Sequence, residues 1–322
     1  MMNLVLIEHD QGKLSKNALE VLTPARALAE KTNTRFAAVI IGEYVLSMVE
    51  TLQKAGVKNV YYVKHGRLDD YAPDAWAESV VQLIQKTNPE AVLAVGTDRG
   101  NEVMARVAAK TDNALATNCT VIEPGEKYRV TRVRWGGSLF EEAWLDGHPK
   151  LLTIAPLTFE TAEIPGSEKP EIEEFVPELS DKDFRVRVIR RIPPEGGISL
   201  SDARVVVGGG RGVGSKEGFA MLEELAELLG GTVGGSRVVT NLGWRSHADQ
   251  IGQTGTRISP DLYIACGISG AIQHWVGCMG SKTILAINND PEAPIVTKAD
   301  YAVIGDLHEV IPALCAEIKR MK

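Results

Sequence analysis

The sequence predicts an α/β protein made of two doubly wound parallel-sheet domains, the first with antiparallel strands appended. Three observations carry this expectation. Short apolar strands alternate with helical patterns from Asn3 onward, the order that covers both faces of a parallel sheet with helices. A break at Pro193-Pro194-Glu195-Gly196-Gly197 separates an acidic stretch from a second strand and helix series. That series opens with strand, glycine turn and helix in succession, the general geometry for holding a diphosphate.

A chain of 322 residues has room for two domains, each with its own core. Hydrophobic residues make up 44% and charged residues 24%, the composition of a globular protein. The net charge is -7 and the 35 Lys and Arg are dispersed, which excludes the concentrated basic stripe of a nucleic-acid binder. The start, Met1 to Asp10, is apolar only from Leu4 to Ile7, so it reads as a first strand without a targeting segment. No apolar run approaches the roughly 20 residues that span a bilayer. Cys119, Cys266, Cys278 and Cys315 show no paired C-x-x-C spacing, so free thiols, a reducing cytoplasmic setting and no metal site are expected.

In chain order, Asn3 to Ile7 is a strand and the stretch to Glu30 carries Ala, Leu and Val at helical spacing. Arg35 to Ile41, Val57 to Val63 and Ala91 to Val95 repeat the apolar strand. Gly96-Thr97-Asp98-Arg99-Gly100-Asn101 then forms a turn before a helix from Glu102 to Lys110, either a helix-capping loop with Asp98 as cap or a nucleotide pocket at a strand end. From Asn118 to Ile154, segments rich in Val, Thr, Tyr and Trp, broken by Gly125, Gly136-Gly137 and Gly147, read as antiparallel strands. Arg132 and Arg134 share a face there, with Arg129 nearby, and are solvated, pair with acidic neighbours or meet a partner. Glu163 to Arg187, acidic and proline-marked, reads as an extended arm and linker.

The expected division is a first domain over 1–190, a linker over 191–200 and a second domain over 201–322. Ala203 to Val207 is a strand running into Gly208-Gly209-Gly210-Arg211-Gly212-Val213-Gly214-Ser215 and a helix from Lys216 to Leu229. Neither G-x-G-x-x-G nor the Walker spacing fits this loop. Leu262 to Cys266, Thr283 to Asn288 and Tyr301 to Ile304 are further strands, and a last helix runs from Leu307 to Arg320, which sets Asn288, Asp306 and the Gly267 turn on one rim of the sheet. Two glycine turns, Gly252-Gln253-Thr254-Gly255 and Gly267-Ile268-Ser269-Gly270, stand beside apolar strands and suit the close approach of a large ligand.

The motifs Ser236-Arg237, Gln250 to Gly255, Leu262 to His274 and Ala286 to Ile295 resemble, in this order, the FAD-binding domain of electron transfer flavoprotein alpha subunits. The resemblance implies a Rossmann-like second domain binding FAD. It implies that Arg237, Thr254 and His274 surround the isoalloxazine ring, with Ser236 and Gln253 nearby, and that Gln250, Ile251 and Gly252 also bind the cofactor. Arg237 and His274 would supply positive charge or hydrogen bonds where negative charge collects on reduction. Ser269, Gly270, Ala271, Ile272 and Gln273 would bind through the turn and helix start, while Arg211, Asn288, Asp306 and Leu307 hold the diphosphate, ribose and adenine. Two departures stand out: Asn241 where the family often has a carboxylate, and Trp275 where a smaller residue is common.

The resemblance further implies a heterodimer with a beta subunit, the first domain serving as scaffold. Electrons would pass from a dehydrogenase, such as one oxidising acyl-CoA, to a quinone reductase or another acceptor. A bifurcating pair using NADH and two FADs, and a nucleotide-binding structural subunit without redox function, are the alternatives. A carrier also fits the lack of any nucleophile and base pair in the sequence. Each site residue also has a plainer reading: Asp306 as a helix cap, Thr254 as a turn hydroxyl, Arg237 as an ion-pair partner, His274 as a packed helix residue, and the cysteines as buried packing groups.

Overall fold

The structure is a computed structural model describing residues 2–15, 17–137, 139–166, 168–190 and 198–321. Two compact units emerge from the contacts within the chain, residues 1–191 and 192–322. Most of the expected linker, 191–197 including the Pro-Pro-Glu-Gly-Gly run, lies outside the described residues.

In the first unit β1 (Met2–Leu6) leads into a short hairpin of β2 (His9–Asp10) and β3 (Lys13–Leu14), then α1 (Leu22–Thr32), β4 (Arg35–Ile41), α2 (Val45–Lys54), β5 (Asn59–Val63), α3 (Pro73–Thr87), β6 (Ala91–Val95) and α4 (Asp98–Thr111). The strands β7 (Leu115–Glu123), β8 (Tyr128–Arg134), β9 (Leu139–Leu145), β10 (Lys150–Ile154) and β11 (Glu171–Phe175) complete it. The nine-stranded sheet has the order β11-β5-β4-β1-β6-β10-β7-β8-β9. Its pairings are parallel except β7 with β8 and β8 with β9. The central strands β6 and β10 are buried along their whole length because helices cover both faces. Each buried Val, Leu or Ile there contributes about 1.5–3 kcal/mol of transfer free energy.

Four local expectations change. Residues 9–14 form a hairpin, so the first helix begins only at Leu22. The α4 cap is Thr97, whose Oγ1 accepts from Gly100 N at 3.0 Å, one residue before the expected Asp98. Lys150–Ile154 is not antiparallel: its apolar run inserts between β6 and β7, parallel to both. Within the acidic arm, Glu171–Phe175 pairs with β5 as the edge strand, and its carboxylates face Lys64 and Lys86. Carboxylates on an exposed edge also protect it from pairing with other chains. As expected, the β8 arginines pair with acidic neighbours: Arg129 with Glu123 and Glu142, Arg132 and Arg134 with Glu141.

The second unit contains β12 (Val205–Gly209), α5 (Phe219–Leu229), β13 (Thr232–Gly235), α6 (Arg237–Asn241), β14 (Leu262–Cys266), α7 (Ile272–Cys278), β15 (Ile284–Asn288), α8 (Pro294–Lys298), β16 (Tyr301–Ile304) and α9 (Leu307–Met321). All five strands run parallel in the order β13-β12-β14-β15-β16. The chain leaves β12 toward β13 on one side and returns to β14 on the other, so the order reverses at β12. A crevice outside the strand C-termini follows from that reversal. One core packs α5 and α9 on the sheet through Phe219, Leu222, Ile311 and Cys315; the other gathers Val206, Ile251, Ile258, Tyr263 and Ile295.

Candidate functional site

The C-terminal ends of these strands open into a cavity of about 590 Å³, within the roughly 300–1,000 Å³ typical of ligand pockets. Each wall comes from the loop that leaves a strand: Gly210-Arg211-Gly212 after β12, Ser236 to Val238 after β13, Gly267 to Ala271 after β14, Asn288 to Asp290 after β15, and Gly305 to Leu307 after β16. Gln273, His274 and Ala293 close it.

The floor exists because two backbones touch. Gly210 N donates to Cys266 O at 2.9 Å and Gly212 N to Gly267 O at 3.1 Å, locking the β12 loop to the β14 loop. A Cβ on Gly210 would stand 2.2 Å from Gly267 O, and one on Gly212 2.8 Å from Gly267 Cα. Gly267 takes φ +61° and Gly270 φ +79°, conformations that favour glycine. Asn288 ties the same loop to β15: Nδ2 donates to Ile268 O at 2.8 Å, and Oδ1 accepts from Asp290 N at 3.0 Å. Asp306 caps α9, its Oδ1 accepting from His308 N at 2.8 Å.

Of the residues expected at the site, Arg211, Ser236, Arg237, Ser269, Gly270, Ala271, Gln273, His274, Asn288, Asp306 and Leu307 line this cavity. Gln250, Ile251, Gly252, Gln253, Thr254 and Ile272 do not. The first five of these hold the wall from outside. Gln253 N donates to Gln273 O at 2.7 Å, and Gly252 packs so tightly on Gly277 of α7 that a Cβ on Gly277 would meet Gly252 Cα at 2.4 Å. Gln250 is buried; its Oε1 accepts from Thr240 Oγ1 at 2.8 Å and its Nε2 donates to Thr254 Oγ1 at 2.9 Å. Ile272 begins α7 with its side chain exposed. Asn241, at the end of α6, is exposed and away from the cavity wall, and Trp275 packs on the second core with Lys298 Nζ 5.1 Å from its ring centre. Gly210, Gly212, Gly267, Asp290 and Gly305 line the cavity without having been singled out as ligands; glycine at a strand end was the signal for all but Asp290.

The electrostatics divide into engaged and free groups. Among the described residues, Arg211 and Arg237 form no ion pair, whereas Arg245 outside the cavity pairs with Glu223 and Asp249. His274 is buried, and that burial pulls its pKa down to about 4, the Ile251 backbone only partly offsetting it. The imidazole is therefore neutral at pH 7, which of the two expected roles, positive charge or hydrogen bonding, leaves the second. Its Nε2 meets Tyr263 Oη at 2.8 Å, while Nδ1 is buried without a partner. All four cysteines are free and buried; burial pushes Cys278 up to about 12 and Cys266 higher still, so both thiols are unreactive packing groups. No cluster of side chains suited to a metal ion occurs among the described residues.

The first unit has no comparable site at its Gly96 turn. Thr97 Oγ1 hydrogen-bonds Glu8, Arg99 pairs with Asp10 at 3.3 Å and lies over the Tyr71 ring, and Tyr71 Oη donates to Glu102 at 2.9 Å. The space left beside Glu8 and Trp76 is about 10 Å³, room for about one water. The turn therefore caps a helix and fills itself.

Residues 3–180 match the electron transfer flavoprotein domain family, and residues 199–279 match the electron transfer flavoprotein FAD-binding domain family. The chain is 36% identical over 323 residues to the electron transfer flavoprotein subunit alpha of Thermoanaerobacterium thermosaccharolyticum, covering 99% of this chain and 98% of that protein. It is similarly 37% identical to Protein FixB of Clostridium saccharobutylicum, over 98% of this chain and 96% of that one. With the electron transfer flavoprotein subunit alpha of Bacillus subtilis it shares 36% identity over 99% and 97% of the two chains.

Proposed function

The chain belongs to the electron transfer flavoprotein alpha-subunit family, and from that premise we propose that its second unit holds one FAD in the β12 to β16 crevice. The observation that carries this is the 590 Å³ cavity, whose walls leave two arginines unpaired. Those groups fit a ligand that carries anionic phosphates. The glycine contacts add to the fit, since side chains on Gly210, Gly212 or Gly267 would collide with the opposite loop.

When bound, FAD supplies the redox chemistry by taking up and releasing electrons at its ring. The chain's own residues bind, orient and shield. Arg211 neutralises the diphosphate, Asp306 and Leu307 hold the adenosine end, and Asn288 fixes the loop that carries Ser269 and Gly270. Arg237 and His274 face the ring, and Gln250 to Thr254 brace α7 from behind. Fixed donors at the place where negative charge grows favour the reduced state without reorganisation.

Alpha subunits of this family pair with a beta subunit, and the first unit serves here as the scaffold for that pairing. Its antiparallel margin supports this, because Trp135, Phe140 and Trp144 are each more than two-thirds exposed. Phe140 and Trp144 lie on one face of β9, opposite Val133 and Arg129, and an exposed apolar face of this kind marks a contact surface. Electrons then pass in the cytoplasm from a dehydrogenase, such as one oxidising acyl-CoA, to a quinone reductase or another acceptor. Among the described residues no helix is long and apolar enough to cross a membrane.

The test is anaerobic stepwise reduction of the chain co-purified with its beta subunit, with flavin counted per heterodimer. One FAD that is reduced by the donor and reoxidised by the acceptor is the expected result. Two FADs with NADH as donor assign a bifurcating pair, and no bound flavin after FAD is supplied overturns the reading.

A further inference from the structure

An isoalloxazine ring is flat and largely apolar, so the wall that receives it must offer apolar surface. Most apolar side chains on the cavity wall have none left: Ile268, Ala293 and Leu307 are each 5% exposed or less, already packed on the protein interior. Ala271 is exposed but brings a single methyl. Val238, on α6, lines the cavity and is 45% exposed. Among the described residues it is the one large apolar side chain of that wall with surface free for a ligand.

The exposure of Val238 is built into α6. The next residue, Val239, is fully buried, and a Cβ on Gly235 would stand 2.6 Å from Val239 Cγ2. Trp244 N donates to Val239 O at 3.0 Å, and Thr240 Oγ1 donates to Gln250 Oε1 at 2.8 Å, so the helix is held on both sides of that contact. Successive helical residues stand about 100° apart around the axis, so Val239 in the core turns Val238 away from it. Valine in a helix keeps one strongly preferred rotamer. A ligand therefore meets a preformed surface and orders little on binding.

The topology decides which end of a dinucleotide meets that surface. Strands β13 and β16 are opposite edges of the five-stranded sheet, about 19 Å apart at about 4.8 Å per strand. On the β15 and β16 side the wall carries the carboxylates of Asp290 and Asp306, acceptors that suit the hydroxyl and amine donors of an adenosine. At the β13 edge Val238 stands beside Arg237, an apolar surface next to a cation. We infer that Val238 is the ring-contact residue of this site: its isopropyl group packs on the isoalloxazine and fixes the ring at the α6 edge, with the adenosine towards β16. The assignment rests on the flavin reading and adds to it a residue that seats the ring. Leu242, one turn further along the same face of α6, is 53% exposed but off the cavity wall, which makes it the control.

The experiment uses the heterodimer with the valine methyls of the alpha chain labelled with ¹³C, before and after FAD is supplied. Val238→Ala identifies the Val238 signals. The expected result is an upfield ring-current shift of the Val238 methyls on FAD binding, with nuclear Overhauser contacts to protons of the flavin ring. Alanine is a better helix former at an exposed position, so Val238→Ala keeps the fold. Its Kd for FAD rises about fivefold, the loss of two partly covered methyls. The inhibition constant of ADP as a competitor of FAD, which reads only this cavity, stays unchanged, and Leu242→Ala binds FAD like the wild type. Val238 contacts to adenine protons, an ADP constant that rises with that of FAD, an unchanged FAD constant in Val238→Ala, or an equal loss in Leu242→Ala overturns the inference and leaves FAD binding intact. Absence of bound flavin overturns the flavin reading and this inference together. The wild-type methyl contacts decide the matter even if Val238→Ala fails to fold.

Discussion

Replacing Gly210 by alanine tests whether the cavity floor depends on two backbones in contact. Its φ of −108° is open to any residue, so conformation alone exacts nothing and the effect is purely steric. The added methyl would lie 2.2 Å from Gly267 O and 2.7 Å from both Gly267 C and Ile268 Cα, all backbone atoms that no rotamer change can move. The β14 loop must then retreat by about 1 Å to restore ordinary contact. That retreat strains the bonds from Gly210 N to Cys266 O and from Gly212 N to Gly267 O. Overpacking of this kind costs about 1–3 kcal/mol, which at about 4 °C per kcal/mol lowers the melting of the second unit by about 4–12 °C. Because the same loop presents Ser269 and Gly270, the FAD dissociation constant should rise about tenfold, the effect of about 1.4 kcal/mol. Thermal melts followed by circular dichroism, and FAD release followed by flavin fluorescence, read the two effects. Gly66→Ala is the control, since a methyl there meets nothing within 4 Å. If Gly210→Ala melts and binds like Gly66→Ala, the floor is not built on this contact.

Further substitutions separate capping, charge and burial. Asp306→Ala removes the acceptor for His308 N and should cost about 0.5–2 kcal/mol as a lost helix cap, measured by urea unfolding. Arg211→Gln leaves the fold unchanged within about 0.5 kcal/mol, because an exposed arginine without an ion pair contributes little to stability, yet weakens FAD binding in equilibrium titration. For His274 the folded pKa lies below the unfolded value, so the unfolded chain binds the proton better. The stability that neutral His274 contributes is therefore complete above about pH 6.5 and is lost as the pH falls toward 4, on the order of 3 kcal/mol in all. His274→Gln should flatten that part of the pH profile of unfolding. Cys266 and Cys278 should resist a thiol reagent at pH 8 in the native protein and react after denaturation, measured by mass spectrometry.

How much of this was legible in the sequence depends on how local each determinant is. Val92 to Val95 and Leu262 to Cys266 announce buried strands because a strand covered on both faces is a continuous apolar run. The place of Lys150–Ile154 between β6 and β7 was not legible, since the order of parallel strands is settled by packing among distant segments. Glu171–Phe175 was hidden for the opposite reason: an edge strand exposed to solvent keeps its carboxylates and reads as an acidic arm. Glycine turns at strand ends pointed to the crevice, because close backbone approach leaves few choices of residue. The support given by Gln253 to the start of α7 was invisible, as it runs through the backbone of Gln253 and Gln273, whose identities the bond does not constrain.

What the cavity can hold follows from which of its polar groups are still available. Gly210 N and Gly212 N, which a phosphate-cradling loop would offer to its ligand, are here engaged by Cys266 O and Gly267 O. Asn288 is bonded at both ends of its amide, and Asp306 is bonded to the α9 backbone. The free donors are therefore side chains: the guanidinium groups of Arg211 and Arg237, which start neighbouring loops. Two cations on loops leaving adjacent strands favour a ligand that carries anionic groups. A flat ring alone would leave Arg211 unmatched. A molecule carrying a diphosphate beside its ring engages Arg211 where the ring alone does not, so Arg211→Gln should weaken FAD far more than it weakens riboflavin.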